Sequence, residues 1–550
     1  MNLFRLLLTL LCLLQVGSTW AQTLALPQKV NKSLQKTKPN DIRDHIAYLA
    51  DDRLQGRLPG TPGYQMAVEY VTDQFKKLNV EPAGENQTYL QQVRLRRAHT
   101  ASATLRLHDA AGTAETLNLG QDFTIYPHPE QAQATLEAPL VFAGFGISAP
   151  DLGYDDYAGI DATGKIVVVV RGAPASFPST VFSYSTDLMT ILQTAADHGA
   201  VGVVVSSASP GSGLPNLQRG ITSVMHADGK TAFSRTFVSD QIKALAYVSH
   251  TTLQKLLKPA GLDATAVSVS LRSGVTASAP LPFSMRLAYS SSYTDFDSHN
   301  VVGRITGSAP QLREEYVVHS AHLDHMGIGT PVNGDSIYNG AHDNASGVAS
   351  LLEIARVYSR LKPKHKPKRS VLIVMVTAEE MGLLGSAYFA KYPTVPKEQI
   401  VANINTDMPT LIAPLLSVVP LGAAHSTLEE QVATASAHLG LDVEEDPEPE
   451  QNRFIRSDQY SFVVQGIPAL HIKYGNKTPD GRNNLHLLVQ EWRPKYYHKP
   501  QDDINAPFDF EAAKTYVQLN FLIGYQVAQN PQRPGWKPGD FFGERFGRKE

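Results

Sequence analysis

Five short segments in the second half of the chain contain histidine and acidic residues of the types that hold two metal ions. They are His322-Leu323-Asp324, Asp343 within Gly340–Gly347, the pair Glu379-Glu380, Asp407 and His498. Imidazole and carboxylate groups bind zinc, and two zinc ions about 3.5–4 Å apart need one carboxylate that both share. One segment alone is a weak signal, because a chain with 18 His and 52 acidic residues contains a His-x-Asp triplet about once by chance. Taken together in this order, the five segments predict a two-metal hydrolase site.

The predicted secondary structure places these segments at one edge of a sheet. Strands alternate with helices: strands are expected at 301–305, 316–320, 371–376, 400–404 and 469–474, and helices at 347–360, 383–392, 427–439 and 511–528. This alternation is typical of an α/β fold with a mixed, mostly parallel sheet covered by helices on both faces. Such sheets bind ligands at the carboxyl ends of their strands. Three of the predicted strands run directly into His322, Glu379 and Asp407.

The adjacent pair Glu379-Glu380 is the most informative of the five segments. Two carboxylates after a hydrophobic strand are costly to bury unless a positive charge lies beside them. One of them can bind a metal while the other takes a proton from the attacking water. Asp324 can hold the second ring nitrogen of His322 and fix its tautomer. Asp343 lies before a predicted helix, so it could also be an ordinary helix cap.

Length, composition and charge limit the number of domains and the kinds of partner. A chain of 550 residues with 42% apolar residues can form two or three domains with sizeable cores. Its formal net charge of −3 argues against a nucleic-acid partner.

The first residues of the chain are typical of a cleavable secretory signal. Arg5 precedes an apolar run over 6–14, and small residues follow up to Ala21. The run is much shorter than the roughly 20 residues of a membrane-spanning helix, and no later segment is long enough, so we expect no stable membrane insertion. The sequence thus predicts an exported protein, periplasmic or secreted. Cys12 lies in this signal and is the only cysteine, so no thiolate is expected in the mature protein.

The chain divides into five predicted parts. Residues 1–21 are the signal, and 22–136 are the N-terminal part of the catalytic region, irregular up to Asn40 and then helical. Residues 137–275 form a compact unit with strands at 165–171 and 201–205 and a helix at 187–198. This unit contains no cluster of His and acids at ligand spacing, so we assign no chemistry to it. Residues 276–530 are the catalytic domain, and the tail 531–550 is expected to be an irregular strap or disordered.

Further motifs carry a family resemblance that covers most of the mature chain. They are the run Tyr48–Arg57, Gly60-Thr61-Pro62-Gly63, Gly382-Leu383-Leu384-Gly385-Ser386, Ser457-Asp458 and Gly466-Ile467-Pro468-Ala469. Together with the metal-site segments, they resemble the M28 family of zinc-dependent exopeptidases. The unit 137–275 resembles the β-rich α/β protease-associated (PA) domain that some members carry as an insertion.

The resemblance implies a role for each site residue. It implies two zinc ions per chain, one bound by His322 and Asp407 and the other by Glu380 and His498, with Asp343 bridging them and a cis peptide bond after Asp343. Glu379 is implied as the general base, and Asp324 as the partner of His322. The resemblance also places Met408 in the substrate pocket. Tyr460 and Tyr497 are further candidates, either to line this pocket or to stabilise the oxyanion. The expected substrates are peptide or protein N-termini with an apolar first residue, cleaved by an aminopeptidase.

Some positions depart from the family pattern, and other functions stay open. Gln459 stands where many members have His, and His342 stands where an acid often precedes the bridging Asp. His325 and His342 are expected to point away from the site. A carboxypeptidase is an alternative, with Arg453 and Arg456 near the pocket. A one-zinc glutaminyl cyclase-like acyltransferase and a non-catalytic receptor ectodomain are further alternatives.

Overall fold

The computed structural model describes residues 26–207 and 209–548. The predicted signal over 1–21, with Cys12, lies outside the described residues. Within them, the chain forms two α/β units joined by a long antiparallel ribbon. No helix of this described part is long and apolar enough to cross a membrane.

A mixed sheet forms the centre of the unit that contains the predicted metal site. The strand Tyr316–His322 lies between Ser370–Val376 and Ile400–Asn405, and all three are parallel and buried. The sheet continues through Ala469–Tyr474, Ser417–Leu421 and Asp442–Val443 on one side, and through the last residues of Ala279–Ile305 and then Glu81–Pro82 on the other. The predicted mixed, mostly parallel α/β sheet is confirmed.

Helices cover both faces of this sheet. One face packs against Gln28–Leu34, Pro39–Leu49, Pro62–Leu78, Ser346–Ser359, Leu428–Leu439, Leu485–Tyr496 and Phe510–Gln529. The other face packs against Leu384–Lys391 and Gln459–Val463. The four helices predicted in this half of the chain begin and end within one residue of the observed bounds. The segment before Asn40, expected to be irregular, instead contains the helix Gln28–Leu34, whose Val30 and Leu34 are buried in the core.

The second unit has two cores, and its strands belong to the same continuous sheet, which passes through the ribbon. Its strands are Phe123–Ile125, Gln133–Phe142, Ile166–Val170, Gly202–Ser206 and Leu245–Val248, and its helices are Ser179–Thr186, Leu188–Asp197, His250–Leu257 and Ala264–Arg272. Ile166–Val170 is buried along its whole length, because every residue is Ile or Val and both faces of the sheet are covered. The short strands Ser148–Ala149 and Tyr154–Asp155 pair beside this sheet.

A ribbon of two long strands connects the units. Ala279–Ile305 pairs antiparallel with Leu90–Asp109 from Phe283 opposite Asp109 to Val301 opposite Leu90. One end of Ala279–Ile305 also pairs with the strand Gln133–Phe142 of the second unit, and its other end pairs with Ser370–Val376. Leu90–Asp109 also pairs with the short strands Ala114–Leu117 and Ile221–Met225, and the latter with Thr231–Phe233. The ribbon therefore fixes the second unit beside the carboxyl edge of the first sheet.

The C-terminal tail is an ordered strap that ends in the helix Phe541–Phe546. Phe542 is fully buried, and Oδ2 of Asp540 accepts a 2.6 Å hydrogen bond from Nδ1 of His425. The rings of Phe541 and Phe546 lie 5.4 and 6.0 Å from Tyr184 of the second unit. The tail thus contacts both units.

Candidate metal centre

The parallel strands bring the predicted site residues to one edge of the sheet. His322 is the last residue of its strand and lies opposite Val376, so the loop that carries Glu379 and Glu380 begins beside it. Ser320 lies opposite Asn405, which places Asp407 two residues past the same edge. Asp343 comes from the segment before the helix Ser346–Ser359, and its peptide bond to Asn344 is cis, as the resemblance implied.

His322, Asp343 and Asp407 form the first group of candidate ligands. The Nε2 atom of His322 lies 3.2 Å from Oδ1 of Asp343 and 3.2 Å from Oδ1 of Asp407. All three side chains offer a ligand atom within 4.8 Å of the others. His322 is buried, so its ring has little freedom to leave this geometry.

His498 and Glu380 form a second group on the other oxygen of Asp343. The Nε2 atom of His498 lies 3.2 Å from Oδ2 of Asp343 and 3.3 Å from Oε2 of Glu380. Asp343 therefore presents one carboxylate oxygen to each group. This is the arrangement that a carboxylate bridging two metal ions requires.

The spacing of the donor atoms fits zinc. Ligands about 2.0–2.2 Å from a tetrahedral zinc ion lie about 3.3–3.5 Å from each other. The four distances of 3.2 and 3.3 Å between the ring nitrogens and the carboxylate oxygens are close to this value. Imidazole nitrogen and carboxylate oxygen are also the donors that zinc prefers in the absence of thiolates.

The charges of the site are concentrated in a buried space. Burial raises the pKa of Glu379 well above its usual range, and the nearby Glu380 carboxylate adds to this effect although His322 opposes it. Burial also opposes ionisation of Asp343, yet its hydrogen bonds with His322 and His498 hold its pKa well below the usual range. Burial would lower the pKa of His498, but Asp343 and Glu380 overcome this and raise it to about 10. Such a concentration of acids is the environment that favours bound cations.

His325 lies in the site, so the expectation that it points away is wrong. Its Nδ1 atom lies 2.7 Å from Oε1 of Glu380, and it forms a candidate ligand group with Asp343 and Glu380. His342 does point away, because its Nε2 atom lies 2.9 Å from the Pro507 carbonyl oxygen and its ring stacks on Phe508. Sequence adjacency to the ligands is shared by both histidines, so it could not separate them.

Asp324 supports the site through the backbone of the glutamate pair. Its Oδ1 accepts a 3.1 Å hydrogen bond from the Glu379 N–H, and its Oδ2 accepts a 3.3 Å one from the Glu380 N–H. The Nδ1 atom of His322 is nearer to the Asp324 carbonyl oxygen, at 3.1 Å, than to its carboxylate, at 4.0 Å. The second ring nitrogen of His322 is therefore held by the main-chain carbonyl of Asp324, and not by its carboxylate as expected from the sequence.

Two further buried groups hold the ligand loops from outside. Asp502 accepts hydrogen bonds from the His342 and Asp343 N–H groups at 2.9 and 3.0 Å. Lys473 donates to the carbonyl oxygens of Asp407 and Met408, both at 2.8 Å, and burial lowers its pKa to about 8. Sequence reasoning missed both residues, because neither belongs to a motif of metal ligands.

Arg57 is a fully buried arginine that ties the ligand loops together. Its guanidinium donates to four carbonyl oxygens, those of Leu49, Leu323, Asn339 and Gly340, at 2.6 to 3.0 Å. Leu323 lies between His322 and Asp324, and Gly340 lies shortly before Asp343. Burial lowers the pKa of Arg57 to about 10, an effect that the acids of the site, first Asp324 and Asp343, partly offset. Arg57 thus fixes two ligand loops with one side chain.

Replacement of Arg57 by Met should destabilise the protein by about 3–5 kcal/mol, because four buried carbonyl groups lose a charged hydrogen-bond donor. Urea unfolding followed by tryptophan fluorescence measures the change. Arg53→Met is the matched control, since Arg53 is exposed and its ion pair with Asp51 lies at the surface; it should change stability by less than about 1 kcal/mol. Equal effects of the two substitutions would contradict the positioning role of Arg57.

The predicted substrate-pocket residues lie at different distances from the metal site. Tyr497 stacks on the ring of His498, with centroids 3.9 Å apart, and so borders the site. Met408 is buried directly after Asp407, and its N–H donates to Asn344. Tyr460 lines a small apolar cavity between the two units, together with Tyr184 and Leu383. Their predicted role in substrate binding stays a prediction.

Two models of known protein families match parts of this chain. Residues 300–521 match the model of peptidase family M28, and residues 136–239 match that of the PA domain. A probable zinc metalloprotease of Pyrenophora tritici-repentis is 35% identical over 109 residues, which are 20% of this chain and 21% of that protein. Aminopeptidase NAALADL1 of Mus musculus is 38% identical over 114 residues, which are 20% of this chain and 14% of that protein. The matched segment thus spans about a fifth or less of these curated relatives.

Among solved structures, an aminopeptidase from Aneurinibacillus sp. strain AM-1 is similar to most of this chain. The two share 20% sequence identity with a TM-score of 0.49, over 93% of this chain and 99% of that one.

Proposed function

Residues 300–521 of this chain belong to peptidase family M28 and residues 136–239 form a PA domain, and on this premise we propose that the protein is a two-zinc aminopeptidase. The observation that supports this most strongly is the position of Asp343, which gives one oxygen to His322 and the other to His498. A shared carboxylate of this kind is needed for two ions and is unnecessary for one. The proposed substrates are peptide or protein N-termini with an apolar first residue.

Each proposed ion has its own ligands in this chain. His322 and Asp407 would hold one ion, Glu380 and His498 the other, and Asp343 would bridge them. His325 is a further candidate for the second ion or for the orientation of Glu380, since its ring nitrogen already contacts that carboxylate. When bound, the zinc ions would supply a Lewis acid for the scissile carbonyl and lower the pKa of the attacking water.

Glu379 is the proposed general base. The Asp324 carboxylate accepts a hydrogen bond from the Glu379 backbone N–H. Bound cations beside the Glu379 carboxylate would favour its ionised form, which can take the proton of the attacking water. The water oxygen forms a bond to the carbonyl carbon of the peptide. Glu379 then delivers the proton to the amine nitrogen as the carbon–nitrogen bond breaks. Of the two adjacent glutamates, Glu380 would hold a metal ion and Glu379 would move the proton.

The carboxypeptidase alternative loses one of its supporting residues. Arg453 is buried and forms ion pairs with Asp446 and Glu448, so it is not free to bind a substrate carboxylate. Arg456 is exposed and lines a cavity that reaches Glu379 and Glu380.

We also propose that the protein is exported, on the basis of the signal-like residues 1–21.

Hydrolysis of amino-acid p-nitroanilides by the purified protein tests the proposed activity. We expect cleavage of Leu and Met p-nitroanilides at rates at least about tenfold above the Asp compound, since apolar side chains suit an apolar pocket. N-acetyl-Leu p-nitroanilide is the matched control and should not be cleaved, because an aminopeptidase needs the free amine. Cleavage only of peptides with a free carboxylate and a blocked amine would replace this proposal by the carboxypeptidase.

A further inference from the structure

A cavity of about 700 Å³ extends from the metal site to the joining ribbon and the PA unit. Glu380 and His325 of the metal centre line this cavity. Three arginines, Arg97, Arg219 and Arg235, line it as well. A peptide that reaches the metal site from this side therefore passes between the proposed catalytic groups and a cationic wall.

One of the three arginines of this cationic wall is paired with an acid. Arg235 pairs with Asp187, with Nη2 3.2 Å from Oδ2. For Arg97 and Arg219, no carboxylate lies within salt-bridge distance in the described part of the chain. Glu380, a proposed metal ligand, is the one acid that lines this cavity among the described residues. Two arginines therefore face the cavity with unused charge.

Arg97 is held in place better than a surface arginine. Its backbone lies in the middle of a three-stranded segment, paired with Thr222 on one side and Thr294 on the other. Its guanidinium lies 5.3 Å from the centre of the Phe296 ring and is half-buried. The preceding Arg96 forms an ion pair with Asp295 at 2.7 Å, so of the two neighbours only Arg97 lacks an acidic partner. A fixed, partly desolvated cation of this kind is suited to bind an anion.

We propose that this cavity binds a carboxylate of the substrate on the leaving-group side of the scissile bond. The proposal rests on the proposed aminopeptidase function. The α-ammonium group of a substrate is itself a cation, so the arginines repel it and the N-terminal residue must lie elsewhere in the site. The part of the peptide that enters the cavity is then the part after the scissile bond. The enzyme should accordingly favour short peptides with a free C-terminus, or peptides with an acidic residue close behind the first.

Three peptides distinguish the two sources of the carboxylate. Leu-Ala-Ala offers a C-terminal carboxylate, Leu-Glu-Ala-amide offers an acidic side chain, and Leu-Ala-Ala-amide offers neither. We expect kcat/KM to be about tenfold or more higher for at least one of the first two peptides than for the neutral amide. The peptide that is preferred identifies the source. Equal kcat/KM values for all three would overturn the proposal.

Substitution of the arginines assigns the preference to the cavity. The double variant Arg97→Gln/Arg219→Gln should lose most of the preference. The ratio of kcat/KM for the preferred peptide to kcat/KM for Leu-Ala-Ala-amide should then lie within about threefold of unity. Arg106→Gln is the matched control, because Arg106 is an exposed arginine of the same strand that does not line the cavity; it should leave the ratio unchanged. Since each ratio is measured on one protein sample, partial misfolding does not alter it. A double variant that keeps the wild-type ratio of kcat/KM would contradict the assignment of the preference to these arginines.

A binding measurement separates this proposal from the aminopeptidase proposal. Calorimetry with the Glu379→Gln protein compares the affinity of Leu-Ala-Ala with that of its amide while turnover is slowed by about two to four orders of magnitude. Tighter binding of the free acid supports the carboxylate site even if no peptide is cleaved by the wild type. Normal p-nitroanilide cleavage together with equal binding of the two peptides would overturn the carboxylate site and leave the proposed activity intact.

Discussion

Replacement of Glu379 by Gln should lower kcat by about two to four orders of magnitude, the usual contribution of a general base. Gln keeps the size of the side chain and the backbone hydrogen bond to Asp324 but cannot accept the proton of the attacking water. Glu379 is not among the residues that we assign as metal ligands, so the zinc content should stay at the wild-type level. Steady-state kinetics on Leu p-nitroanilide and metal analysis of the same sample measure the two quantities.

The neighbouring Glu380→Gln substitution is the matched control for this prediction. Glu380 contacts His325 and His498, as a metal ligand would, so its replacement should reduce metal content as well as activity. The two variants should then differ in zinc content, although each replaces a glutamate by Gln. A Glu379→Gln protein that keeps its metal and retains more than about a tenth of the wild-type kcat would contradict the role of Glu379 as the base.

Replacement of Asp343 by Asn should remove both metal ions and abolish measurable hydrolysis. The neutral amide has one oxygen, whereas the carboxylate presents Oδ1 to the group of His322 and Oδ2 to the group of His498. Loss of the negative charge weakens both sites, so metal content should fall from about two ions per chain to well below one. Metal analysis after gel filtration measures this directly.

Asp335→Asn is the control for this second prediction, because Asp335 is an exposed acid of the hairpin formed by Gly327–Val332 and Asp335–Tyr338. It should keep metal and activity at the wild-type level. An Asp343→Asn protein that retains one tightly bound ion would show that the two sites are independent. Such a result would contradict the bridging position of Asp343.

The elements that carry the site could be predicted from the sequence because their signals are local. Val317 and Val318, like the Val and Ile residues of Ser370–Val376, form continuous apolar runs, which are typical of parallel strands buried on both faces. Such a strand ends where polar residues begin, so His322, Glu379 and Asp407 could be placed at the carboxyl edge of the sheet. The bounds of the helices could also be predicted from local signals, namely the spacing of apolar residues and the turn residues at each end.

Contacts between distant segments could not be predicted in the same way. Arg57 contacts the site across more than 260 residues of sequence, and its fourfold hydrogen bonding to carbonyl groups depends on the final positions of three loops. The strand Ala279–Ile305 was predicted only over its last five residues, because the serines 290–292 interrupt the apolar alternation. The tail was expected to be irregular, yet Phe542 is buried because the partner residues that cover it come from elsewhere in the chain.

Zinc titration of the metal-free protein tests the two-metal site most directly. Metal is removed with a chelator, zinc is added back in steps, and both the bound zinc and the hydrolysis of Leu p-nitroanilide are measured at each step. We predict that binding saturates at about two zinc ions per chain and that full activity needs both. Saturation at one ion with full activity, or activity that does not depend on zinc, would contradict the account.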